Sequence, residues 1–327
     1  MRPIWALAAL ALAFLLSLPV ATAQGDVAGE PVEVSVTVAV TSFGNYDAKT
    51  GTYVLDFYLV LEWDPAGAPA NFTAANFEMA NGRASARDLQ FNETDDESGV
   101  RRLWYRVQAN LYSEPKYDWY PFDEQTVEVR IEDKVYTTSQ LVYVAGNGTL
   151  EETFRPAGWQ VGGKTFEVME NKYSFDEEPY SQARFVVTLH RTVLSGVLKV
   201  IVPPLAFVLI SGVSFLLVGK EKIATRFALA GNMAISGIMF HAAQSSTLPS
   251  LSRLIFLDRY MLAVEVFLFG SVLVTALVAY AEMKSKDEAK AKRLNWRGAI
   301  AVAAAAVGIF FLLLLVDVAP DVAHYAT

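Results

Sequence analysis

Few residues in this chain have the chemistry of a catalyst. There are three histidines, at 190, 241 and 324, and no cysteine among 327 residues. Neither a Gly-x-Ser-x-Gly nucleophile turn nor a His-Glu-x-x-His zinc helix is present. Too few groups remain for a hydrolytic triad or a zinc site, so no enzymatic activity, cofactor or metal centre is expected. The chemistry on offer is aromatic and acidic. Within 173–180, Tyr173, Phe175 and Tyr180 interleave with Asp176, Glu177 and Glu178. Aromatic rings present negative faces, and with carboxylates alongside they favour a cation such as an amine. A solvated loop tip with cross-strand tyrosine packing has the same composition, and both readings stay open. The run Asp95-Asp96-Glu97 reads as a solvated loop rather than a calcium site. A further cluster, Asp118-Trp119-Tyr120-Pro121-Phe122-Asp123-Glu124-Gln125, concentrates rings and acids ahead of a long apolar region.

Two kinds of element must position these residues. From 32 to 40 every even position is Val, and from 53 to 63 the odd positions are Tyr, Leu, Phe, Leu, Leu and Trp. Such period-two alternation marks strands with one buried face. Turn residues at 44–51 join the two runs as a hairpin. Similar runs recur at 104–111, 125–131, 141–144, 154–168 and 183–189, so an antiparallel, immunoglobulin-like β-sandwich is expected over 25–193. No cysteine staples it, and its stability must come from burial and assembly.

After His190 and Arg191 the period changes. Apolar stretches at 194–217, 259–283 and 298–318 are each long enough to span a hydrocarbon core. A fourth, 227–246, is rich in Ala, Gly, Ser and Asn, which suits a helix shielded from lipid in a bundle lining an aqueous path. A four-helix transmembrane bundle over 194–318 follows. Residues 1–24, with Arg2, an apolar core and Ala21-Thr22-Ala23, read as a cleaved secretory signal. Basic residues cluster between the first and second helices (Lys220, Lys222, Arg226) and between the third and fourth (Lys284, Lys286, Lys290, Lys292, Arg293, Arg297). The positive-inside rule makes both loops cytoplasmic, leaving the sandwich and the tail 319–327 outside a cell membrane. Residues 25–193 hold 14 Lys/Arg against 27 Asp/Glu, and 194–327 hold 12 against 8. No basic, aromatic-interleaved patch suggests nucleic acid.

This order of elements resembles a subunit of the pentameric ligand-gated ion channels, and particular residues carry the resemblance. Tyr120-Pro121-Phe122-Asp123-Glu124-Gln125 is similar to that family's aromatic-Pro-Phe-Asp-x-Gln motif. Arg191 precedes the first helix, Pro203-Pro204 lies within it, Leu248-Pro249 and Asp258 lead into the third, and Trp63-Asp64 matches a strand signature. Together they cover about residues 30–283. Ser113 and Val127 stand where the animal receptors have their loop cysteines. Bacterial and archaeal members also lack that disulfide, so the resemblance points to a prokaryotic subunit, a homopentamer in a lipid bilayer around a central pore.

The resemblance implies further roles. Ala228, Asn232, Ile235, Met239, Ala242 and Ser246 share one helical stripe, which would face the pore. Rings of Ile235 and Met239 would gate by dewetting, although such a stripe also suits bundle packing. His241 falls off it and reads as a packing residue rather than a proton sensor. Glu221, Thr225 and Arg226 lie near the inner mouth, where selectivity is set. The acidic outer domain concentrates cations within a Debye length of about 8 Å, so a cation-selective pore is expected, with an anion-selective channel or a non-conducting sensor as alternatives. The agonist, a small molecule, cation or proton, would sit between subunits against Tyr173, Phe175, Glu177 and Tyr180, with Asn81 and Asp133 on neighbouring loops. Asp47, Phe122, Asp123 and Arg191 would meet the Leu248-Pro249 linker and couple binding to the pore. An ion pair between Asp123 and Arg191 is part of that expectation.

Overall fold

A computed structural model describes residues 30–47, 49–285 and 288–316. The expected signal 1–24 and tail 319–327 lie outside the described residues. Nine strands build the outer half: β1 (Val32–Asp47), β2 (Thr52–Trp63), β3 (Phe77–Met79), β4 (Gly82–Thr94), β5 (Arg101–Tyr112), β6 (Glu124–Asp133), β7 (Leu141–Leu150), β8 (Trp159–Lys172) and β9 (Pro179–Arg191). They form a five-stranded sheet, β4-β5-β2-β1-β7, over a four-stranded sheet, β3-β6-β9-β8.

The even-numbered valines of β1 and the odd-numbered residues of β2 all point inward and are buried. They meet Val127, Val129, Ile131, Phe185, Val187 and Leu189 of the opposite sheet in one core. The β1–β2 hairpin pairs Val38 with Leu59. Among the described residues every pairing is antiparallel except that of β1 with β7, which is parallel. Strands β3 and β4 gave no period-two signal. β4 is an edge strand with both faces exposed, so nothing constrained its residues to alternate. The run at 154–168 begins as a turn, in which Trp159 N–H bonds Pro156 O, and pairing starts only at Trp159.

Four helices follow: α1 (Val193–Leu216), α2 (Ile223–Ser245), α3 (Phe256–Ser285) and α4 (Glu288–Val316). All four are long and apolar enough to cross a membrane, α2 being the least apolar, and the chain is a multi-pass membrane protein. Only Thr192 separates β9 from α1. Within α1 a π turn covers Val197–Ile201, where Val202 N–H reaches Val197 O. Pro203 and Pro204, which follow, have no N–H to continue the regular ladder. The helices outrun the apolar stretches: α4 starts at Glu288 rather than 298 and α3 at Phe256 rather than 259. Hydropathy marks the hydrocarbon core, whereas Ala, Lys, Arg and Leu at 289–294 are good helix formers that continue the helix beyond it. Helices α3 and α4 approach closely at glycines, since a Cβ on Gly270 would meet Val302 at 2.7 Å and one on Gly298 would meet Val274 at 2.7 Å.

Gly51 ends the β1–β2 turn with φ +70°, and a Cβ there would lie 2.3 Å from the Ser113 carbonyl oxygen. Gly51→Ala is therefore expected to destabilise the protein by about 1–3 kcal/mol, seen as a lowered melting temperature of the purified full chain in detergent.

Candidate functional site

The segment between β5 and β6 sits on the helix bundle. Tyr117 is buried in a cluster with Val200, Leu248, Ile255, Leu257 and Met261, so a loop of the sandwich belongs to the core of the bundle. The Asp118 carbonyl accepts from Phe256 N–H at 2.8 Å at the start of α3, and its carboxylate pairs with Arg253 at 2.6 Å. The rings of Trp119 and Phe122 pack on Phe256 with centroids 6.1 and 5.8 Å away. The Tyr120 hydroxyl donates to Gln244 at the end of α2 at 3.4 Å. The Tyr120-Pro121 bond is cis, and Pro121 lies so close to Gly196 of α1 that a Cβ there would be 2.9 Å from its carbonyl oxygen.

Immediately after this loop, Asp123 and Arg191 form the ion pair anticipated from the sequence. Arg191 Nε and Nη2 donate to the two carboxylate oxygens at 2.6 and 3.0 Å. Asp123 is 3% exposed. The guanidinium also lies over the Trp159 ring at 4.4 Å and beside the Tyr120 ring at 5.1 Å. Burial opposes its charge, but the hydrogen bonds and charge of Asp123 outweigh that and raise its pKa. Gln125 completes the motif. Its amide accepts from Lys116 N–H at 3.0 Å, donates to Lys116 O at 2.6 Å and donates to Asp123 at 2.8 Å. The loop is thus closed by the Gln125 amide on the Lys116 backbone.

Two expected coupling residues lie differently. The exposed Asp47 carboxylate accepts from Lys49 N–H at 2.8 Å within its own turn. Its neighbour Tyr46 is the one that packs inward, edge-on to Trp159 at 5.8 Å. In the linker, Leu248 is buried, while Pro249 lines a hollow of about 470 Å³ that also reaches His241 and Asp258.

All six residues of the expected pore stripe, Ala228, Asn232, Ile235, Met239, Ala242 and Ser246, are exposed, Ile235 at 59% and Met239 at 68%. On the opposite side of the helix Arg226, Ala230, Ala234 and Gly237 are buried. His241 continues that inner side, its ring nitrogens 2.9 Å from Glu265 and 3.3 Å from Asp258 of α3. The exposed Glu221 sits in a short turn with the exposed Lys220 and Lys222 before α2, and Thr225 is exposed as well. Arg226, expected near the inner mouth, is turned into the subunit's own bundle. It is 1% exposed, because its position on the helix turns it inward, where it donates to Asn295 of α4 at 2.7 Å.

The aromatic residues expected to meet an agonist do gather. Tyr173 and Phe175 are stacked at 5.3 Å, and Tyr173 meets Tyr180 edge-on at 6.0 Å. Phe175 is 84% exposed. Glu177 is also exposed. Behind the rings lies a carboxylate the sequence reading missed. Glu132 is buried and accepts from the Tyr173 hydroxyl at 2.6 Å, from Asn171 at 2.7 Å and from Gln182. Desolvation, reinforced by Glu132, pushes the Tyr173 hydroxyl up to about 12, so it stays protonated and donating at neutral pH. The available signal was the row of charges Glu128, Arg130 and Glu132 at alternate positions of β6. That row meets Arg184 and Gln182 of β9 across the sheet. Asn81 and Asp133 are not turned toward the rings by their hydrogen bonds. Asn81 ties Tyr112 O, Glu128 O and Arg130 N–H together. Asp133 is 2% exposed and caps the backbone at Val135 and Tyr136, and burial raises its pKa.

No family model matches the chain. A γ-aminobutyric acid receptor subunit beta of Lymnaea stagnalis is 26% identical over 183 residues, 54% of this chain and 36% of that protein. A γ-aminobutyric acid receptor subunit beta-like protein of Drosophila melanogaster is 26% identical over 304 residues, 82% and 60% of the two chains. The pH-sensitive chloride channel 2 of Drosophila melanogaster is 27% identical over 198 residues, 58% and 38% respectively. The chain therefore spans between 36% and 60% of the length of these curated relatives. They are receptor and channel subunits, not enzymes, and they support the resemblance to the pentameric ligand-gated channels.

Asp123→Ala leaves a largely buried guanidinium without its carboxylate, and Arg191→Ala leaves a buried carboxylate without its cation. Each is expected to lower stability by about 3–5 kcal/mol. Unchanged melting of the purified full chain in both variants would show the pair to be dispensable.

Proposed function

We propose that this chain is a subunit of a prokaryotic-type ligand-gated ion channel, five copies of which enclose a pore lined by α2. The observation that carries this reading is the division of α2 into two sides. Its inner side is buried against the subunit's own helices, while Ala228, Asn232, Ile235, Met239, Ala242 and Ser246 have no cover. Asn232 and Ser246 on this stripe would be unfavourable against lipid, whereas facing water in an assembly they are not. Ile235 is the narrowest apolar ring in this reading and forms the closed gate.

The agonist face is the ring set Tyr173, Phe175 and Tyr180 backed by Glu132, with a neighbouring copy covering the exposed Phe175. Negative ring faces over a buried carboxylate select an ammonium group. Two of the relatives are named for γ-aminobutyric acid, which carries an amine. The junction of Tyr117, Phe122, Asp123 and Arg191 with the linker at Leu248 couples this face to α2.

The cation preference expected from the acidic outer domain finds no support among the relatives, one of which is named a chloride channel. The inner mouth favours the anion alternative. Lys220 and Lys222 flank the single Glu221, all three exposed, which leaves one net positive charge per subunit at the pore entrance.

Purified protein in planar bilayers, screened with amines and with pH, is expected to give currents that reverse near the chloride equilibrium potential in asymmetric salt. Reversal at the cation potential would overturn the anion reading, and silence under every condition would overturn the channel. Tyr173→Phe, which removes a hydrogen bond to Glu132 without removing a ring, is expected to raise the half-maximal amine concentration about tenfold, the equivalent of one lost hydrogen bond.

A further inference from the structure

Four helices bring polar groups together at the inner end of the bundle. Arg226 of α2, Glu282 of α3 and Asn295 of α4 are 1%, 3% and 0% exposed. Asn295 is the hub. Its amide oxygen accepts from Arg226 Nη2 at 2.7 Å, and its amide nitrogen donates to Phe215 O, at the end of α1, at 2.7 Å. Around them the packing is apolar, with Phe215, Val274, Val278 and Ala291 buried together. Burial here is by the subunit's own helices, so it does not depend on a neighbouring copy.

A charge in such surroundings persists only if another charge answers it. Burial is the larger influence on the Arg226 charge and opposes it, and Glu282 acts in the other direction. Arg226 Nε and Glu282 Oε2 are both buried with unmet hydrogen-bonding capacity. Arg226 has a neutral partner in Asn295, and the opposite charge of Glu282 is what remains to offset its burial. The arrangement differs from a selectivity ring in two respects: the cation points away from the exposed stripe of α2, and its partners lie on α3 and α4.

We propose that Arg226, Glu282 and Asn295 form an internal polar latch that fixes the inner end of α2 against α3 and α4, and that Arg226 is a positioning residue with no direct part in ion selection. The latch joins the most lipid-exposed helix, α4, to the helix that carries the uncovered stripe. A displacement of α4 at the inner leaflet is thereby carried directly to α2 through the Asn295 to Arg226 contact, in addition to the packing of both on α3. This inference rests on the channel reading only for its electrical consequence, and the stability measurement below is independent of that reading.

The test is a double-mutant cycle on the full chain in detergent and in bilayers. Arg226→Gln and Glu282→Gln each strand one buried charge, and each is expected to reduce the yield of intact, monodisperse oligomer about tenfold or more. The combined Arg226→Gln/Glu282→Gln variant removes both charges and is expected to recover to within about threefold of wild type, because neutral replacement of a buried pair is often tolerated. Its reversal potential in asymmetric salt is expected to match wild type, while Asn295→Ala shifts the half-maximal ligand concentration without altering reversal. Single variants as stable as wild type, or a double variant no better than the worse single, would overturn the latch. A changed reversal potential in a stable double variant would instead return Arg226 to the pore mouth. If no variant and no wild-type protein conducts, the channel reading fails while the stability cycle still decides the latch.

Discussion

The junction depends on one buried ion pair, Asp123 with Arg191. Arg191 is the last residue of β9, and only Thr192 separates it from α1. A carboxylate 3% exposed is tolerated there because the guanidinium binds both its oxygens and Gln125 donates a further hydrogen bond. With so little chain between strand and helix, whatever orients Arg191 also orients the entry of α1. The surrounding motif follows from this constraint. Phe122 reaches into the bundle, Asp123 holds the strand end, and Gln125 closes its own loop through Lys116. Three neighbouring residue types thus have three distinct physical reasons to be present.

Along α2 a comparable logic operates with different groups. The buried side of α2 is built from Ala230, Ala234 and Gly237, and a Cβ on Gly237 would meet Leu268 at 2.6 Å. Small residues let α2 lie close to α3, but they give little resistance to rotation about the helix axis. The polar residues at either end supply it. His241 is bound to Asp258 and Glu265 of α3, and Arg226 is bound to Asn295 of α4. With both ends fixed on the same side, the Ile235 and Met239 side is turned outward.

The sandwich was legible in the sequence wherever one face is buried and the other wet, as in β1 and β2, because burial forces alternation. It was illegible in β4, an exposed edge, and blurred in β6, where Glu128 and Glu132 are covered by arginine, tyrosine and amide partners and so are buried on the nominally wet face. That the stripe residues of α2 share one side followed from helical spacing, whereas their facing a pore was implied only by the resemblance. The inward turn of Arg226 was not legible, since its partner is 69 residues away in sequence and charge at a helix end normally signals solvent. The Asp123 and Arg191 pair came from a motif together with a lone basic residue at a domain boundary. The contribution of Tyr117 and Gln125 became visible only with tertiary contacts, because an aromatic ring and an amide carry no periodic signal.

The two polar regions of the outer domain lie at opposite ends of one strand pair. β6 and β9 are antiparallel, with Glu132 opposite Gln182 near the aromatic hairpin and Glu124 opposite His190 near the membrane. Ten residues of β6, at about 3.3 Å each, give a span on the order of 30 Å. Along that span Glu128 is tied to Arg130 and Arg184, so the ladder is braced by ion pairs as well as backbone bonds. Tyr180 lies at the start of β9 and Arg191 at its end. In the proposed reading, a rearrangement of Tyr173 and Tyr180 around a bound cation would therefore act on a stiff two-stranded ribbon whose far end is the Asp123 and Arg191 pair, beside the loop whose Tyr117 and Asp118 meet the α2 to α3 linker. Stiffness is what this geometry requires, for a ribbon that bent would absorb the displacement before it reached the helices.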